Sequence, residues 1–213
     1  MTKTRIIGID PAGENADPVR AIAAALLEDA VAAYPTETFY ALGAAAFSRG
    51  AVEKVYRLKR RDMGKPLSVV VSDLDMVREI SAPLPPSFRA LAGEFWPGPL
   101  TLVLLAAARL PDFMLGPGRT IAVRIPPLPW LRALVREIGE PLTATSANLS
   151  GEKELADPAE VAAVFRGKVD VIVDGGPAPG GAPSTIVDLT SPEPRILRPG
   201  KISEARIRAV LES

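Results

Sequence analysis

SRGAVEKVYRLKRRDMGKPLSVVV, residues 48–71, holds a helix, a basic turn and a strand in immediate succession. Ser48 is a natural N-cap, because its hydroxyl can accept from the open N–H groups of a first helical turn. Val52, Val55, Tyr56 and Leu58 follow on one face, which predicts a helix to about Arg60. Pro66 breaks that pattern, and LSVVV is a short apolar run of the kind that forms a buried strand. Between helix and strand lie Arg57, Lys59, Arg60, Arg61 and Lys65, five cations within nine residues. The whole chain has 25 basic and 25 acidic residues, so this is a local excess in a neutral protein. Such a cluster is either a solvated helix end, where cations favour the dipole, or an anion site.

The alternation continues in both directions. TRIIGID, AVAAYP, LTLVLLA, TIAVRI, PLTATSA, VDVIVDGG, STIVDLT and PRILRPG read as strands. Helices are expected from Asp17-Pro18 (Asp17 as N-cap), from Ser72-Asp73, over PPSFRALAGEF and PLPWLRALVREIG, from Asp157-Pro158 and from Ser203. That order predicts an α/β fold: an open twisted mixed sheet with helices on both faces. At 213 residues, one domain over 1–213 is expected. Residues 175–183, GGPAPGGAP, are expected to form a flexible loop.

Composition narrows the chemistry. There is no Cys and no His, which excludes disulfides, thiolate nucleophiles, the serine triad and most transition-metal sites. Lys, Arg, carboxylates, hydroxyls, amides and hard metal ions remain. Phosphoryl and nucleotidyl transfer suit that set, since positioning and charge neutralisation do most of the work there. Neither a Walker A motif nor G-x-G-x-x-G occurs. The opening MTKTRIIGID lacks the long apolar core of a secretory signal, and no run of ~18 apolar residues offers a membrane span, so no membrane partner and a cytoplasmic location are expected.

Four further segments hold polar groups at strand ends, where ligands of α/β sheets sit. Thr36 lies in YPTET, after an apolar strand. In TATSANLSG, residues 143–151, small side chains alternate with Ser146 and Asn148, either as a ligand cradle or as a Ser/Asn-rich turn. Arg124 shares a strand face with Thr120 and Ala122, and its burial calls for a bound anion, a carboxylate ligand or a structural ion pair. Ser184 and Arg198 complete the set.

Taken together, YPTETFYALG, the Lys-x-Arg of LKRRDMGKPLS, WPGPLTLVL, TIAVRIP, TSANLSG, PSTIVD and LRPG resemble the YrdC-like threonylcarbamoyl-adenylate synthases. The resemblance runs in order from about residue 34 to 200. It implies a YrdC-like fold with a large basic cavity, and an enzyme of the nucleotidyltransferase type. L-threonine, bicarbonate and ATP would give threonylcarbamoyl-AMP and pyrophosphate. The product would then serve threonylcarbamoyladenosine modification of tRNA through a separate transfer complex, direct RNA binding being possible.

By resemblance, Lys59 and Arg61 are catalytic and face the phosphates, with Thr120, Ser146, Asn148 and Arg198 also on ATP. Thr36, Arg124, Ala144 and Ser184 fall on threonine. Mg2+ is implied with ATP, its ligands unassigned; Asp73 and Asp75 read as helix-cap residues. The chain departs from the family pattern at Ala41, Arg60, Asp62 and Pro183. Two other readings stand beside this one: an RNA- or tRNA-binding module of the same fold, and a carbamoyl-adenylate-forming relative. Arg57 and Arg60 are expected to face solvent, with Lys65 at the cavity rim.

Overall fold

Cap chemistry sets most of the element boundaries. The computed structural model describes residues 3–62 and 66–212, so Lys65 lies outside the described residues. From the N-terminus, β1 (Arg5–Gly8) leads to α1 (Ala16–Leu27) and the hairpin of β2 (Ala32–Pro35) and β3 (Tyr40–Gly43). α2 (Arg49–Lys59), β4 (Ser68–Val70), α3 (Leu74–Ile80) and α4 (Pro86–Phe95) follow. Then come β5 (Leu100–Leu105), β6 (Thr120–Arg124), α5 (Pro129–Ile138), β7 (Leu142–Ser146) and α6 (Pro158–Phe165). β8 (Val171–Asp174), β9 (Thr185–Asp188), β10 (Arg195–Arg198) and α7 (Glu204–Leu211) complete the order. Ser48, Asp73, Asp157 and Ser203 each accept a first-turn N–H as N-caps. α1 differs from expectation: Asn15 occupies the cap position, and Asp17 falls in the first turn, where its charge still suits the dipole. The Asn15 side chain is engaged elsewhere, accepting from Asp10 N at 2.9 Å.

Among the described residues ten strands form one mixed sheet, in the order β1-β8-β2-β3-β7-β4-β6-β5-β9-β10. β1, β8 and β2 run parallel, whereas β2-β3, β3-β7 and β7-β4 are antiparallel. β4 and β6 are parallel again, as are β5 and β9. The middle of the sheet is therefore assembled from segments distant in sequence.

Alternation along β8 shows the layering. Val171 and Val173 pack with α1 and α5, and Ile172 packs on the other face with α2 and α6. α3, α4 and α7 cover the half built on β4, β5 and β6. α5 presents Leu131, Leu134, Val135 and Ile138, all buried, at i, i+3, i+4 and i+7. Burial of each such side chain contributes about 1.5–3 kcal/mol. Gly139, at φ 76°, ends the helix in the left-handed conformation that a side chain would disfavour.

Residues 175–183 are irregular, as their composition predicts, yet they are tied down. Gly180 N donates to Thr38 O at 2.6 Å and Ala178 N to Ala156 O at 2.8 Å. Tyr40 Oη donates to Gly176 O at 2.8 Å. No helix among the described residues is long and apolar enough to cross a membrane.

Replacing fully buried Leu134 by Ala should cost about 2–5 kcal/mol and lower the urea midpoint with little change in m. Leu27→Ala, at a site 57% exposed, should stay within about 0.5 kcal/mol of the parent. Equal losses at the two positions would contradict the core described.

Candidate active site

Small side chains on the middle strands leave a cavity of about 210 Å³. Ala122 and Arg124 share one face of β6, and Ala144 and Ser146 share one face of β7. Ser68 of β4 pairs with Ala122 on one side and Ala144 on the other. Ala41 of β3, in register with Ser146, extends the same wall. Thr36 and Thr38, from the turn between β2 and β3, also line it, as do Thr101, Ser184 and Arg198. The cavity is basic, as the resemblance implies. Its volume lies below the ~300–1,000 Å³ usual for small-molecule sites.

Arg124 ends β6 and is only 7% exposed. Its Nη1 forms an ion pair and hydrogen bond with Glu37 Oε1, so the structural-pair alternative for Arg124 is realised. Glu37 sits at the tip of the β2–β3 turn and is itself buried. Its Oε2 has no hydrogen-bond partner. Burial pulls the Arg124 guanidinium down to about 10, well above neutrality, so it stays charged. Among the described residues no other hydrogen bond from Arg124 is found, and its guanidinium lines the cavity with donors to spare.

Arg198, at the end of β10, is held by one residue. Its Nη2 donates to Ser184 O at 2.7 Å and to Ser184 Oγ at 3.0 Å, and its Nε reaches Ser184 O at 3.2 Å. Ser184 Oγ in turn lies 3.0 Å from Thr101 Oγ1. Gly200 permits this arrangement, since a Cβ there would stand 2.3 Å from Pro183 O. Lys201 N closes the turn by donating to Pro183 O at 2.8 Å.

The cation cluster divides. Arg57 and Arg60 face solvent as expected, Arg60 taking the left-handed φ of 50° at the end of α2. Arg61 lines the cavity and donates to Pro66 O at 3.1 Å. Lys59 is 2% exposed and stands behind the wall. Its ammonium donates to Ser146 O, to Asn148 O at 3.0 Å and to Asn148 Oδ1 at 2.7 Å. Ser146 Oγ also donates to Asn148 Oδ1, at 2.7 Å, and Asn148 Nδ2 donates to Glu152 O at 2.6 Å. Ser150 N returns to Lys59 O at 3.1 Å. Lys59 and Asn148 thus build the loop after β7, and Ser146 of that loop faces the cavity. Burial, then the Arg61 charge, draws the Lys59 ammonium down to about 8 against an opposing pull from Glu154.

Seven of the ten expected site residues therefore line the cavity: Thr36, Arg61, Arg124, Ala144, Ser146, Ser184 and Arg198. Lys59 and Asn148 support it from behind. Thr120 does not line it; it begins β6, two residues before Ala122 on the same face, beside Gly116. Of the departures, Ala41 and Pro183 line the cavity, whereas Arg60 and Asp62 are exposed. Sequence reasoning missed Glu37, Thr101 and Glu154. Thr101 carried a signal, a lone hydroxyl inside the apolar run LTLVLL.

The family model for Sua5, YciO and YrdC, described as "Telomere recombination", matches residues 24–200. The chain belongs to the Sua5/YciO/YrdC family. A threonylcarbamoyl-AMP synthase of Bacillus subtilis is 40% identical over 212 residues, covering 99% of this chain and 61% of the relative. The structure of Pyrococcus abyssi Sua5 complexed with L-threonine superposes with a TM-score of 0.91 at 35% identity, covering 97% of this chain and 61% of that one. E. coli YciO gives a TM-score of 0.84 at 27% identity, with 97% and 99% covered. The chain spans about three fifths of the length of the first curated relatives it matches. Its mixed sheet is that of Sua5 and YciO.

Side-chain NMR of Lys59 should give a titration midpoint of about 8. The folded value lies below the unfolded one of 10.5, so the burial penalty is fully present below pH 8 and is relieved progressively as pH rises from there to the unfolded value. Arg61→Ala should raise the midpoint and Glu154→Gln should lower it, following the sign of each neighbour's charge. An ordinary midpoint near ~10.4 would contradict the buried clamp.

Proposed function

We propose that the chain is a threonylcarbamoyl-AMP synthase, a nucleotidyl-transferring enzyme acting on L-threonine, bicarbonate and ATP. The observation that carries this is Arg124, a buried guanidinium with unused donors facing a cavity rimmed by Thr36, Thr101 and Ser184. An Arg fork suits the α-carboxylate of an amino acid, and the hydroxyls suit a hydroxylated side chain. The P. abyssi Sua5 complex with L-threonine supports the same substrate. A volume of about 210 Å³ suits an amino acid rather than a nucleotide. ATP would therefore lie toward the open side, its phosphates near Arg61 and Arg198.

The reaction needs no covalent intermediate. Threonine's amine adds to bicarbonate, water leaves, and the carbamate oxygen attacks the α-phosphorus in line with departing pyrophosphate. Arg61 and Arg198 would stabilise charge developing on the phosphates. Lys59 contributes by shaping the Ser146–Asn148 turn. The enclosed end of the cavity would shield the carbamate and the mixed anhydride from water. Among the described residues no group of three or more acidic side chains is placed to hold a metal ion. Mg2+ would thus be bound largely by phosphate oxygens, as it commonly is, and would supply charge neutralisation there. The product would pass to a tRNA-modifying complex, with the cytoplasm as the expected compartment. A domain that only held RNA would favour cations spread over a surface; here Arg124 and Arg198 are recessed and fixed.

Purified protein supplied with ATP, bicarbonate and single amino acids should release pyrophosphate in the presence of threonine and bicarbonate. Arg124→Gln should raise the threonine KM by roughly 10–100-fold, with little effect on the ATP KM. The double variant Glu37→Gln/Arg124→Gln removes both charges together and separates substrate loss from misfolding. Release that ignores threonine would sink the assignment.

A further inference from the structure

The turn between β2 and β3 carries two hydroxyls whose protons can be assigned one by one. A threonine hydroxyl has one proton to donate and two lone pairs that accept. Thr36 Oγ1 donates its proton to Phe39 O at 2.6 Å, a carbonyl that can only accept. Its lone pairs meet Thr38 N at 3.3 Å and Thr38 Oγ1 at 3.2 Å. In the second contact Thr38 is the donor, since Thr36 has no proton left. Thr36 is therefore saturated by its own turn. Thr38 Oγ1 has committed its proton and keeps two lone pairs, for which no donor is found among the described residues. Both threonines line the cavity, and Thr38 is 7% exposed.

The other hydroxyl pair in the lining has a different polarity. Arg198 Nη2 donates to Ser184 Oγ at 3.0 Å, and Ser184 Oγ lies 3.0 Å from Thr101 Oγ1. Whichever of the two donates in that contact, the pair keeps one free O–H. The cavity thus holds one hydroxyl pair that can still donate and one that can only accept. Of the groups on an amino acid, the carboxylate needs donors, and a side-chain hydroxyl is served by either kind. The ammonium has only protons to offer, so it needs acceptors. Glu37, between Thr36 and Thr38 in sequence, is the residue paired with Arg124. The acceptor-only oxygen therefore belongs to the turn that meets Arg124. In an amino acid the nitrogen likewise sits on the carbon that bears the carboxylate.

We propose that Thr38 Oγ1, rather than Thr36, contacts the nitrogen of the amino acid and directs its lone pair for attack. This rests on the threonine reading above. Once the nitrogen has lost a proton, its lone pair is the nucleophile. A hydroxyl with a free proton would donate to that lone pair and blunt it. Thr38 does not, because its proton is held on Thr36; it accepts one N–H and leaves the lone pair open. Thr36 is then a positioning residue that acts through Thr38.

Calorimetry with two ligands tests it: L-threonine, and (R)-3-hydroxybutyrate, the same molecule without its amino group. Thr38→Val keeps the shape of the side chain and removes the oxygen, whereas Thr38→Ser keeps the oxygen. The parent should bind threonine about tenfold or more tighter than hydroxybutyrate. Thr38→Val should weaken threonine by about tenfold or more and leave hydroxybutyrate within about threefold of the parent. Thr38→Ser should bind both ligands as the parent does. At saturating threonine, pyrophosphate release by Thr38→Val should fall as well, because the amine is no longer aimed. Equal weakening of both ligands would overturn the proposal while leaving the threonine reading intact. So would threonine binding that ignores loss of the oxygen. A parent that binds hydroxybutyrate as tightly as threonine would overturn it too, however either variant folds. A parent that neither binds threonine nor releases pyrophosphate would overturn the threonine reading, and this proposal with it.

Discussion

Arg124 places a full positive charge where only 7% of the residue meets solvent, and the cavity depends on how that charge is tolerated. An isolated buried guanidinium would carry a desolvation penalty of several kcal/mol. Glu37 offsets it through one oxygen, from the tip of a turn that reaches over β7 and β4 to the end of β6. The pair therefore fixes the turn as well as the arginine. Thr36 and Thr38 flank Glu37 and are held at the rim by the same contact. Thr36 Oγ1 donates to Phe39 O at 2.6 Å, and Gly180 N binds Thr38 O, so the turn also fastens the glycine-rich loop.

The other cations follow the same rule by different means. Arg198 rests on Ser184, and Lys59 on Ser146 and Asn148. Each is fixed by acceptors from the protein before any ligand arrives, and such preorganisation is what makes an electrostatic site effective. The contrast is with surface pairs such as Arg20–Asp17 and Arg208–Glu204, whose side chains are more than half exposed and which contribute little. Net charge, zero for the chain, conceals this difference. Location and fixation give the cavity its character.

Much of this was legible in the sequence. The α/β order, the mixed sheet and the caps at Ser48, Asp73 and Ser203 follow from local pattern, because capping and periodicity are local physics. The convergence of Thr36, Arg61, Arg124, Ser146, Ser184 and Arg198 came from segment resemblance, since register between distant strands is not written in any one of them. Lys59 and Arg61 show where reading stops. They are two residues apart in one basic run, but Arg60 takes a left-handed turn between them, and one side chain enters the core while the other enters the cavity. Glu37 and Glu154 were invisible for a related reason: whether a carboxylate is buried against an arginine or left unpaired in a cavity is a tertiary property. Asn15 stands at the cap position of α1 in place of Asp17 because its side chain ties down the preceding turn through Asp10 and Gly13, so the helix starts before Asp17.

Charge balance inside the cavity sets a further constraint. Three arginines line it, against Glu154 in the lining and Glu37 immediately behind Arg124. Lys59 stands behind the wall, its ammonium shared by three acceptors, and is not counted among the lining charges. The surplus is about one positive charge. An amino acid is a zwitterion and needs no more than that. A triphosphate together with bicarbonate brings several negative charges to the same small space, in surroundings where attraction and repulsion are less screened than in water. On the synthase reading, the protein's own groups can hold the first substrate but not neutralise the second. On that reading the fixed arginines would orient the phosphates, and a counter-ion entering with the nucleotide would balance the remaining charge.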